Sequence, residues 1–262
     1  MLSSTEGNIV LNGTGNSLTT LELAGGDITL GGRNDGASRV TTVENLASGT
    51  GGGTLDLGRG AQLVLTGQQA GSHVTDVTIS GDGTLTLGGT GTDSSLTLGN
   101  GSSLDGVLLD IREGSALSTA AGSVNTVSGL TGGGALKLSG AEMTVDSSAS
   151  HTFTGTLDGA SGTLNVKSGN GSVQTIKGAG NAGYNLNVSD GGALTLAGAA
   201  AEGGNPAQAA YKGITVNGGT LNIGSADAPK TQLTLGTDGL SVTGNSTVTI
   251  TTSSTTVDGL GN

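Results

Sequence analysis

The 262-residue chain has no cysteine and no tryptophan, two prolines, two methionines, one phenylalanine and two tyrosines. The missing cysteines exclude a disulfide framework and a thiolate metal site, and fit either a reducing compartment or an exported chain that stays unlinked. The near-absence of aromatics excludes a core built on large rings, which normally supply much of the buried area. Burial must come from many aliphatic side chains, each worth roughly 1.5–3 kcal/mol. Basic residues are also few. Nine Lys and Arg stand against twenty Asp and Glu, a formal net charge of −11. That balance argues against nucleic acid or an anionic membrane as partner. No apolar run approaches the ~18–20 residues of a membrane helix, so no direct membrane insertion by this segment is expected. The start, Met1-Leu-Ser-Ser-Thr-Glu-Gly7, has neither a basic nor an apolar leader region, so no signal peptide is expected there. Both ends read as cuts through a repeat in a longer protein.

What the chain does have is glycine, 53 residues of it, and one recurring pentapeptide. It stands at Gly53-Thr-Leu-Asp-Leu57, Gly83-Thr-Leu-Thr-Leu87, Gly134-Ala-Leu-Lys-Leu138, Gly162-Thr-Leu-Asn-Val166, Gly192-Ala-Leu-Thr-Leu196 and Gly219-Thr-Leu-Asn-Ile223. Each copy reads as a turn glycine followed by a half-buried strand, apolar at alternate positions. Similar pairs recur throughout, at Leu21/Leu23, Ile28/Leu30, Leu96/Leu98 and Val248/Ile250 among others. Such pairs are foreign to disordered chains, so disorder is set aside despite the glycine. Helix signals are almost missing, because Gly, Thr, Ser and Asn fill the gaps. An antiparallel sandwich or barrel and a parallel β-helix both fit. The motif glycines, 30, 51, 28, 30 and 27 residues apart, favour the β-helix, as one all-β segment over 1–262 with about 10–13 coils of roughly 20–30 residues.

The largest departure from the pattern is 198–213, read as a loop protruding from one coil. Asn205-Pro206 resembles an N-cap followed by Pro at the first helical position, which predicts a helical turn over Pro206 to Tyr211. Binding residues concentrate on loops carried by rigid scaffolds. Glu202, Asn205, Gln208 and Tyr211 are therefore the candidate binding residues, although the repeat also assigns Tyr211 to coil packing.

Candidate chemistry elsewhere reduces to turns. Gly178-Ala-Gly-Asn-Ala-Gly183 matches a phosphate-cradling pattern, but a strand pattern follows it where a dinucleotide fold needs a helix. His73 and His151 lack any accompanying nucleophile signature and read as solvated turn residues. Asp105, Asp110 and Glu113, with Arg112, are the carboxylates that glycoside cleavage would require, and a solvated turn is the plainer reading. Neither the calcium nonapeptide nor an EF-hand loop occurs, so no specific metal site and no cofactor is expected. Asn-x-Ser/Thr triplets at Asn12, Asn100, Asn170, Asn187 and Asn245 read as turn chemistry before glycosylation.

Two segments go further. Gly134-Ala-Leu-Lys-Leu-Ser-Gly140 leads to His151-Thr-Phe-Thr-Gly155 and Gly162-Thr-Leu-Asn-Val166. Gly192-Ala-Leu-Thr-Leu-Ala-Gly198 leads to Ala210-Tyr-Lys-Gly213 and Val216-Asn-Gly-Gly-Thr-Leu-Asn-Ile223. Both resemble the autotransporter-associated β-strand repeat of Gram-negative type V secreted proteins, with Phe153 and Tyr211 at the aromatic position. The resemblance is good over about residues 130–225 and looser elsewhere. It implies a right-handed parallel β-helix passenger, exported through an outer-membrane barrel and displayed on the cell surface. It also implies an adhesin, not an enzyme, active in attachment, autoaggregation or biofilm formation. The expected partner is a host surface or matrix protein, a glycan, or another copy on a neighbouring cell. The alternatives are a passive stalk carrying a distal domain and a polysaccharide-active β-helix.

Overall fold

A computed structural model describes residues 1–31, 39–69, 72–167, 171–178, 180, 183–197, 207–224, 231–250 and 256–258. Within them the chain is all-β, without a helix, and every strand-to-strand ladder is parallel. Parallel neighbours need a crossover, and here each crossover is a further short strand on another side of the rod. The result is a β-solenoid.

Its longest sheet has twelve strands. One outward column in it can be followed residue by residue: Val10, Thr29, Asp56, Ser80, Asp105, Thr126, Thr144, Asn165, Asn187, Thr215 and Ser241 are successive partners. Ten steps of ~4.8 Å make about ten turns and a rod of roughly 50 Å. A turn takes from 18 residues (Thr126 to Thr144) to 28 (Asn187 to Thr215). A second side is formed by a seven-stranded sheet ending at Gly129–Thr131, continued by a five-stranded sheet that begins at His151–Phe153. A third side carries five short strands between His73–Val74 and Thr156–Asp158.

The turns of 18 to 28 residues reach slightly below the range expected, and the motif interval does not measure them. Gly53–Leu57 and Thr163–Lys167 lie in the long sheet, Thr84–Leu87 in the seven-stranded sheet and Ala135–Leu138 on the third side. Ala193–Leu196 and Thr220–Ile223 lie in the five-stranded continuation. The pentapeptide is thus a corner-and-strand unit usable on any side.

Its glycine is set by the coil beneath. A Cβ on Gly162 would lie 2.6 Å from the Leu138 carbonyl oxygen, 2.7 Å from Leu138 Cβ and 3.0 Å from the Tyr184 ring. Gly162→Ala should therefore overpack the corner and cost about 1–3 kcal/mol. Gly133→Ala, whose nearest neighbour would be the Thr154 hydroxyl at 3.3 Å, should stay within about 0.5 kcal/mol. Thermal unfolding of the two variants separates them.

Inside, Leu, Ile and Val stack on like residues, as in Ile28–Leu55–Ile79 and Met143–Leu164–Leu186–Ile214, all buried. The scarce aromatics are placed over glycines. Cβ atoms on Gly155, Gly162 and Gly180 would lie 2.7, 3.0 and 2.5 Å from the rings of Phe153, Tyr184 and Tyr211. Glycine leaves the volume those rings fill.

Candidate functional site

Of the four candidate binding residues at 198–213, the structure describes the side chain of Tyr211 alone. Glu202 and Asn205 lie outside the described residues. From Ala207 the chain is strand, not a helical turn, within Ala207–Asn217. The main chain of Gln208 pairs with Gln232, and that of Tyr211 with Leu235. Tyr211 is 1% exposed and belongs to the core, so it is no surface contact. The polar feature next to it is Lys212, whose ammonium donates to Asp238 at 2.8 Å. That hydrogen bond, with one from Thr237, holds the exposed Asp238 carboxyl below its ordinary range. Exposed pairs of this kind are strongly screened.

The carboxylates of the hydrolytic reading are spread over two sheets and a turn. Asp105 projects from the long sheet. Asp110 sits in the seven-stranded sheet, 3.5 Å from the Arg112 guanidinium, and Glu113 follows in the turn. His73 is exposed on a two-residue strand. His151 is half-buried, which lowers its pKa. Among the described residues no three His, Asp or Glu side chains converge on a metal position.

Hollows open on the surface of the described residues. One of about 380 Å³ is lined by Asn45, Ala47, Ser48, Gln68 and His73. Another, of about 330 Å³, has a floor of Ser95, Gly114, Ala116, Gly133 and Ala135. Neither has an aromatic wall, although small-molecule pockets usually rely on apolar and aromatic linings.

The extended feature is the outer surface of the long sheet. Its central column carries Thr, Ser, Asn and Asp from Thr29 to Ser241 in unbroken register. Alternation along each strand puts these side chains outward while their neighbours fill the core. A second column beside it runs through Thr54, Thr78 and Ser103, and further along through Glu142, Thr163 and Asn185. The rows make contacts along the axis. Asn187 Nδ2 donates to Asn165 Oδ1 at 2.9 Å, and the Thr78 and Ser103 hydroxyls lie 3.4 Å apart. Cross-strand pairs of this type stabilise a sheet modestly. They also fix polar groups in a regular, solvent-facing array.

Inside the rod, three carboxamides among the described residues bond to the backbone of neighbouring coils. Gln68 accepts from the Leu46 N–H at 2.7 Å and donates to the Leu46 carbonyl at 3.1 Å. Gln174 does the same for Leu130, at 3.2 and 3.0 Å. Asn125 accepts from the Leu104 N–H at 3.0 Å and donates to the Glu142 carbonyl at 3.4 Å. All three are buried. A side-chain amide has the donor and acceptor of a peptide group, so Gln68 and Gln174 complete a ladder where no strand reaches, while Asn125 ties together the strands on either side of its own. Sequence reading missed all three as functional parts of the fold.

No protein family, curated protein or solved structure matches this chain.

Proposed function

We propose that this chain is a cell-surface adhesin segment, an exported autotransporter-type passenger that attaches cells through the polar outer face of its long sheet. The observation that carries the reading is the outward column from Thr29 to Ser241, in register over the length of the rod. A surface of that length offers many hydrogen bonds, individually about 0.5–1.5 kcal/mol net. Alignment with a second extended surface makes them in parallel, and after the first contact the rest form at high effective concentration. The partner is another copy on a neighbouring cell, a matrix protein or a glycan. The repeat resemblance over 130–225 supports export and display.

The test is to display residues 1–262 on a non-adherent bacterial host and measure settling and binding to immobilised matrix proteins and glycans. Clumping or binding is expected. Because the chain carries a net charge of −11, like copies repel at long range, so clumping should rise between about 10 and 150 mM salt as the Debye length shortens from roughly 30 to 8 Å. Cells that neither settle nor bind would leave the passive-stalk reading. In that case unrelated β-helical coils should replace this segment without loss.

A further inference from the structure

Four asparagines precede a glycine, Asn12, Asn100, Asn170 and Asn217, of which Asn170 lies outside the described residues. With no Cβ on the following residue, the backbone nitrogen of such a pair can approach the asparagine side chain closely. The fold decides whether that nitrogen is available. Asn100 and Asn217 are both exposed, and their glycines share a left-handed φ, +73° at Gly101 and +72° at Gly218. Their amides differ. The Gly218 N–H donates to the Ser246 hydroxyl at 2.8 Å and lies 3.4 Å from the Thr243 carbonyl. Among the described residues the Gly101 N–H has no acceptor.

The carboxamides differ as well. Oδ1 of Asn12 lies 1.8 Å from where a Cβ would stand on Gly31, and Oδ1 of Asn217 lies 2.8 Å from the same point on Gly244. Each of these side chains therefore packs on a glycine of the next coil. Asn100 stands at a more open corner. Its turn is closed by the Ser102 N–H on the Gly99 carbonyl at 3.1 Å, and one coil on the Ser123 N–H closes the same turn on Ala120 at 3.2 Å. A Cβ on Gly122, the counterpart of Gly101 there, would meet nothing within 4 Å.

We propose that Asn100-Gly101 is a site of spontaneous modification, where asparagine is converted to aspartate and isoaspartate in the folded chain. Solvent base takes the Gly101 amide proton, and the freed nitrogen attacks the Asn100 side-chain carbonyl carbon. A C–N bond closes a succinimide ring while the Cγ–Nδ2 bond breaks, and the side-chain nitrogen leaves as ammonia after taking a proton from solvent. Water then opens the ring at either carbonyl, which yields aspartate or isoaspartate. The new carboxylate stands one coil on from Asp76, whose N–H donates to the Asn100 carbonyl at 3.0 Å and whose own carboxylate lies against Gly101. Two carboxylates then share one corner of the rod, and the formal net charge moves one unit below −11. The site is independent of what the long sheet binds.

Ageing the full chain in mildly alkaline buffer, with its proteolytic peptides read by mass spectrometry, tests this. The peptide holding Asn100 should gain the mass of deamidation at least about tenfold faster than the one holding Asn217, whose reaction waits on local opening. In denaturant the two rates should converge. Asn100→Gln should abolish the gain in the first peptide. Equal rates at Asn100 and Asn217 in the folded chain overturn the proposal, because the unbonded amide would then confer nothing. A rate at Asn100 at least about tenfold lower in the folded chain than in denaturant overturns it too, since the turn would then be protecting the residue. A gain that persists in the Asn100→Gln variant places the chemistry at another residue and has the same consequence.

Discussion

Gln68→Leu should destabilise the chain by about 2–6 kcal/mol, while Gln69→Leu next to it should change stability by less than about 0.5 kcal/mol. The side chains are similar in size, and leucine is the more apolar, so a burial argument alone predicts the opposite order. Gln68 is buried and is the partner of both the N–H and the carbonyl of Leu46. Leucine there would leave two backbone groups unpaired inside the rod, each costing about 1–3 kcal/mol. Gln69 is exposed, and its amide donates to the nearby Gly67 carbonyl. Against a total stability of about 5–15 kcal/mol, the first loss is severe. Urea denaturation monitored by far-UV circular dichroism measures both. Equal midpoints for the two variants would show that water or a relaxed backbone replaces the amide.

The two tyrosines should respond in opposite ways to loss of the hydroxyl. Tyr184→Phe should cost about 1–3 kcal/mol, because the Leu138 N–H, buried beneath it, loses its acceptor. Tyr211→Phe should be neutral or stabilising, since among the described residues the buried Tyr211 hydroxyl has no hydrogen-bond partner. Removing an unsatisfied polar atom while keeping the ring relieves a desolvation penalty. Burial raises the pKa of both hydroxyls well above the ordinary value near 10.0. In the unfolded chain they ionise near that ordinary value, so the unfolded state binds fewer protons above it. Stability should therefore be complete below about pH 10 and fall as pH rises beyond it. The alkaline loss should be smaller in either Phe variant. A Tyr211→Phe protein weaker than Tyr184→Phe would reverse the assignment of the two roles.

The strand pairs were legible because alternation has a short period and needs no knowledge of neighbours. Leu164/Val166 and Leu194/Leu196 show it directly, and both pairs are buried. Which side of the rod a strand joins was not legible, because turns vary from 18 to 28 residues and slide the motif from side to side. Gln174 could have been found, since it shares parity with the buried Ile176 in Gln174–Ile176. Gln68 could not be told from Gln69 by any local pattern, since its partner lies 22 residues away. The 198–213 segment misled because Asn205-Pro206 is a sound local signal for a helix start. An isolated helical turn is costly to nucleate. Meanwhile the main chain of 207–211 found a parallel partner in 231–235. Tertiary pairing overrode the local preference, and it carried Tyr211 from the proposed surface into the core.

The outer face of the long sheet can be tested apart from the fold that carries it. Thr144, Asn165, Asn187 and Thr215 project from adjacent strands of that sheet. Replacing them with glutamate adds charge to the face while leaving the inward residues untouched. The matching control places glutamate at Thr97 and Ser118, outward on the third side. The decisive measurement is settling and ligand binding by cells displaying the two variants, with circular dichroism confirming equal strand content. Loss of adhesion in the long-sheet variant with retention in the control is the predicted result. Unchanged adhesion in the long-sheet variant would contradict the claim that this face is the adhesive one.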